Sequence, residues 1–118
     1  MKFPLMAKIK QNFDTPTIAD IAGEIRSELT RFDPQKVISP GQSVAITAGS
    51  RGICKIADIL EALVNELKRI QAKPFIVPAM GSHGGGTAEG QKRLLAHYGI
   101  TEKALAVPIK VSMDVSQV

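Results

Sequence analysis

"PFIVPAMGSHGGGTAEGQKRLLAHYG", residues 74–99, changes character twice within one short stretch. Phe75, Ile76 and Val77 are apolar and suit an extended, buried segment. The run then breaks at Gly81 into a turn holding Ser82, His83 and three consecutive glycines, Gly84, Gly85 and Gly86. From about Thr87 the pattern becomes helical, and Gly99 stands where a left-handed helix cap is wanted. A strand, a glycine turn and a helix in that order form a repeating half of an α/β fold.

The same unit occurs once more upstream. "SVAITA", residues 43–48, is short and rich in β-branched residues, and it ends at "GSRG", residues 49–52. Ile56, Ile59, Leu60, Leu63, Val64, Leu67 and Ile70 then recur at spacings of three and four, the clearest helix in the chain. Residues 14–32 predict a further amphipathic helix over Ile18, Ile21, Ala22, Ile25 and Leu29, with Asp14, Thr15 and Pro16 as start signals. "PLMAKIKQNF", residues 4–13, alternates loosely and predicts a half-exposed strand, and "VPIKVSM", residues 107–113, predicts another. The expected fold is therefore α/β, three-layered, with a mainly parallel sheet and helices on both faces. If residues 43–48 and 74–79 are adjacent parallel strands, the turns after them lie side by side at the carboxyl edge, where such sheets bind ligands.

Composition narrows the function classes. The 118 residues fit one domain, taken as 1–118. Lys and Arg outnumber Asp and Glu by 15 to 11, giving a net charge of +4, and the basic residues are scattered. Phe3, Phe13, Phe32, Phe75 and Tyr98 do not alternate with them as a base-stacking surface requires, so nucleic acid is not the expected partner. A single cysteine, Cys54, forms no disulfide framework, and no apolar stretch reaches the length of a membrane span. The expectation is a cytoplasmic protein without a membrane partner.

The two turns carry the candidate chemistry. Gly84, Gly85 and Gly86 permit positive φ and bare the main-chain N–H groups beside a helix amino terminus, which suits an anionic ligand. His83 offers proton transfer near neutral pH, and Arg51 offers a planar fork for a carboxylate or phosphate. The bland alternatives are a plain strand-to-helix turn, a solvent-facing histidine and an arginine paired with a surface acid. No G-x-S-x-G elbow accompanies the "HGGG" sequence, and the glycine spacing matches neither nucleotide-binding motif. His97 reads as a helix-terminal cation, and Cys54 as a packing residue.

"ITAGSRGI" and "PFIVPAMGSHGGGTAEGQ", in that order and separated by one long helix, resemble the amino-terminal region of the nickel-pincer-nucleotide-dependent lactate racemase family and its relatives. The resemblance runs from about Ser43 onward. It implies that Arg51 holds the substrate carboxylate and that His83 is the catalytic acid/base residue. Ser50, Ser82, Gly84 and Gly85 would then lie at the cofactor, with no metal ligand among them. The implied reaction moves the α-hydride of a 2-hydroxy acid to the cofactor ring while a histidine takes the hydroxyl proton. Ala48 stands where lactate-type members carry an aspartate three positions before the arginine.

In that family the cofactor-tethering lysine and nickel-binding histidine follow the matched region. The expectation is thus an amino-terminal fragment of a racemase or epimerase, inactive alone and lacking the cofactor. An exposed sheet edge would favour a homo-oligomer. The alternative is a noncatalytic α/β module that binds an anionic small ligand at "GSHGGG".

Overall fold

The computed structural model describes residues 6–51 and 53–112. Strand β1 (Ser43–Ala48) and strand β2 (Lys73–Pro78) lie side by side in parallel, with Ser43 opposite Lys73 and Ala48 opposite Pro78. Helix α2 (Ile56–Arg69) supplies the crossover between them. Its apolar positions at spacings of three and four turn Leu60, Val64 and Leu67 into the core. The expected α/β class with a parallel sheet is present.

Alternation along the strands explains which face is covered. Ala48 and Ile76 are completely buried and Ile46 packs beside them, whereas Ala45 and Thr47 on the opposite face are exposed. The helices gather on the buried side, where Leu60, Val64, Leu95 and Ile100 join Ala48 and Ile76 in one cluster. On the other side Lys110 covers part of Phe75, its Nζ 4.1 Å from the ring centroid. The described residues thus form two of the three expected layers. Each fully buried aliphatic side chain contributes roughly 1.5–3 kcal/mol, so this one-sided core carries most of the favourable energy.

Helix α1 (Ile21–Phe32) leans on α2 rather than on the sheet, with no fully buried residue. Its start differs from the expectation at Asp14–Pro16. Asp20 is the cap, its Oδ1 accepting from the Gly23 N–H at 2.9 Å, which satisfies a free amide of the first turn. Arg26 of α1 donates to Glu66 of α2 at 3.0 Å, and Arg69 donates to the other carboxylate oxygen at 2.7 Å.

The strand expected over residues 4–13 is corrected. Residues 6–13 adopt no regular structure and Met6, Ile9 and Phe13 are exposed, while residues 4 and 5 lie outside the described set. Alternation prepares a segment for a sheet, but a strand also needs a neighbour's hydrogen bonds, and no described residue supplies them.

Helix α3 (Ala88–His97) ends as expected at Gly99, whose φ is +80°. The Ile100 N–H bonds Leu95 O at 3.0 Å and the Gly99 N–H bonds Ala96 O at 2.9 Å, a Schellman closure that drives Ile100 into the core. A four-residue helix, α4 (Glu102–Leu105), follows, too short for periodicity to signal. Beyond it the expected last strand is reduced to one parallel bridge between Ile109 and Ile76. The Glu102 side chain accepts from the Ile109 N–H at 3.0 Å and spends that amide away from a ladder. Met113, the end of that expectation, lies outside the described residues.

Candidate functional site

The parallel register places the ends of β1 and β2 together, and the turn after each meets the other. Ser50, two residues beyond β1, puts its Oγ 2.5 Å from Nδ1 of His83, five residues beyond β2. The pair is partly buried. Among the described residues this is the one side-chain hydrogen bond that joins the two turns. It joins Ser50 and His83 directly, within the side-by-side placement of the two turns that the sequence predicts.

Local geometry explains how the second turn presents His83. The His83 N–H bonds Met80 O at 3.1 Å, and Gly84, Gly85 and Gly86 follow at φ of +66°, +72° and +64°. This left-handed run is costly for any residue with a Cβ, roughly 1–2 kcal/mol each. The glycines are not equivalent. A Cβ on Gly84 would meet the Gln91 amide nitrogen at 2.5 Å, so Gly84 is required by close packing on α3. Gly85 and Gly86 have nothing within 4 Å and stand open.

Helix α3 braces the turn from its first residues. The Thr87 side chain caps the helix by accepting from the Gly90 N–H at 3.1 Å. Gln91, almost fully buried, donates from Nε2 to Gly81 O at 2.8 Å. The other end of the same helix reaches the first turn: the Tyr98 hydroxyl donates to Ser50 O at 2.6 Å. Neither Gln91 nor Tyr98 was singled out as a site residue. Only a long-range contact reveals Tyr98, since its partner is 48 positions away.

Arg51 lies next to this arrangement. With Gly49, Ser50, Ile53, Ile56 and Tyr98 it lines a cavity of about 120 Å³. The Arg51 side chain is exposed and makes no ion pair with a described residue, so its fork is available to an anion. His83 is not part of that cavity's lining. Ser82 is exposed and takes no part in the Ser50–His83 contact. His97 stays exposed at the end of α3, edge-on to Tyr98 with ring centroids 5.7 Å apart.

Cys54 is exposed, which corrects its reading as a packing residue. It borders a larger, mostly alkyl groove between α1 and the start of α2, lined also by Ile18, Ile21, Ile25 and Ile59. Thr17, Glu24 and Lys55 also line it, but apolar side chains predominate. No three His, Cys, Asp or Glu side chains among the described residues come together as a metal's donor set. No helix among them is long and apolar enough to cross a membrane.

No family model, no curated protein and no solved structure matches the chain.

Proposed function

We propose that this chain is the amino-terminal part of a 2-hydroxy acid racemase or epimerase of the nickel-pincer-nucleotide class. The observation that carries the reading is the Ser50–His83 contact, which draws the two turns together with Arg51 alongside. In this reading Arg51 binds the substrate carboxylate through two parallel N–H···O bonds. His83 accepts the hydroxyl proton of the substrate and returns it in the reverse step. The organic ring of the cofactor, when bound, supplies the hydride acceptor.

The described residues do not present a metal's donor set, so they do not by themselves fit the nickel centre. What they fit is the substrate's charge and its mobile proton. Ser50, Ser82, Gly84 and Gly85 form the border of the site in this reading, and the outer edge of β1 favours self-association.

The test uses the longer protein that the resemblance implies, purified from cells making the cofactor, with nickel and bound organic mass measured on one sample. Stoichiometric nickel with a nucleotide-sized adduct supports the reading. On that protein, His83→Ala lowers turnover at least 100-fold and leaves the urea midpoint nearly unchanged. Arg51→Lys raises KM, because an ammonium cannot reproduce the fork. Unchanged kinetics in both variants refute the assignment.

A second reading is favoured by Gly85 and Gly86, whose backbone stands open at positive φ. There the chain is a noncatalytic module holding an anionic small ligand at the glycine turn. Absence of both nickel and adduct, with phosphate or a 2-hydroxy acid still shifting the amide resonances of Gly85 and Gly86, selects it.

A further inference from the structure

A neutral imidazole carries one proton, and the partner of one ring nitrogen decides what the other can do. For His83 to accept a proton at Nε2, its own hydrogen must sit on Nδ1. Nδ1 then needs an acceptor. The atom beside it is Ser50 Oγ, a hydroxyl oxygen with lone pairs to offer, at 2.5 Å.

Such a partner orients a ring only if it is itself held. Ser50 follows a strand in a turn, and its carbonyl is fixed by the Tyr98 hydroxyl at 2.6 Å. His83 is fixed from the opposite end of the same helix, through Gln91 Nε2 to Gly81 O at 2.8 Å and through the packing of Gly84 on Gly90. Both halves of the contact are therefore referenced to α3, 10 residues long, and their separation does not depend on the loops alone.

We propose that Ser50 and Tyr98 are positioning residues for His83: Ser50 Oγ accepts from Nδ1–H, leaving Nε2 as the ring's acceptor, and Tyr98 holds Ser50 in place. The assignment rests on the reading of His83 as the acid/base group. It gives Ser50 a different task from contact with the cofactor. When Nε2 takes up a proton, Nδ1–H keeps its bond to Ser50, so the ring stays in register in both protonation states.

The test is a long-range ¹⁵N–¹H correlation spectrum of the ¹⁵N-histidine-labelled 118-residue chain, recorded where the imidazoles are neutral. His83 is expected in the Nδ1–H form. Ser50→Ala shifts it to the Nε2–H form that an unrestrained imidazole prefers, and Ser50→Thr restores the wild-type pattern. Tyr98→Phe moves it part of the way. His97, the only other histidine, is the internal control and stays unchanged.

An Nε2–H proton on His83 in the wild type overturns the proposal, and this spectrum decides even if Ser50→Ala fails to fold. Identical tautomers in wild type and a folded Ser50→Ala overturn it as well. An unaltered Tyr98→Phe spectrum removes Tyr98 from it. The readout involves no turnover, so failure of the racemase reading, seen as missing nickel and adduct, is a separate result.

Discussion

Replacing Gly90 by alanine sets two physical effects against each other. Gly90 lies inside α3, and helix propensity alone favours alanine over glycine there by about 1 kcal/mol. The structure reverses that sign. A Cβ at this position would fall 1.6 Å from Gly84 O and 2.6 Å from its carbonyl carbon, an overlap with backbone that no rotamer change relieves. Overpacking of this kind costs roughly 1–3 kcal/mol, and an overlap with backbone belongs at the upper end, which leaves a net loss of about 2 kcal/mol after the propensity gain. With a urea slope of about 1–3 kcal/mol/M, the midpoint falls by roughly 1 M. Gly85→Ala is the comparison, because its Cβ meets nothing within 4 Å and only the φ of +72° is penalised. Equilibrium urea unfolding of the three chains, followed by circular dichroism, measures the difference. A Gly90→Ala midpoint equal to or above wild type refutes the close approach of the turn to α3, and with it the account of how His83 is held.

Two further outcomes test the core and the helix pairing. Ile76→Ala empties the fully buried centre of β2 and is expected to cost about 2–5 kcal/mol, read from the same urea curves; a loss under 1 kcal/mol would place Ile76 outside the core. The carboxyl of Glu66 is held below the ordinary glutamate range, first by the hydrogen bond from Arg26, with partial burial opposing and Arg69 adding to it. Because the folded value is the lower one, the Glu66 contribution is complete above the ordinary glutamate range. It fades as pH falls through the folded value. The urea midpoint therefore drops on acidification over that window, and Glu66→Gln flattens this part of the profile; an identical pH profile in the variant refutes it.

Periodicity was sufficient for α2, short apolar runs for β1 and β2, and the change of pattern near Thr87 with the Gly99 cap for α3, because each of these signals is local to its own segment. Ile46 and Ala48, or Leu60, Val64 and Leu67, are legible without knowing their neighbours. Residues 6–13 show the limit: Lys8, Ile9 and Lys10 alternate like a strand, yet strand formation depends on a partner that the pattern does not encode. The start of α1 shows another: Asp14, Thr15 and Pro16 read as start signals, yet the residue that caps the helix is Asp20. In the site, the turn order placed Ser50 near His83 through the parallel pairing. The role of Tyr98 and the division of the glycines into Gly84, packed, and Gly85, open, required three-dimensional contacts.

The anchoring of both turns to α3 has a consequence for how the site comes apart. Gln91 near one end and Tyr98 at the other tie Gly81 and Ser50 to a single helix. A cooperative segment opens as a unit, so the free energy that protects its amides against exchange with solvent is shared by everything it secures. The amides of Leu94 and Leu95 should then exchange at the same opening cost as those around Ser50 and His83. Faster exchange at the two turns than in α3 would refute this coupling. The site is only as persistent as the helix behind it.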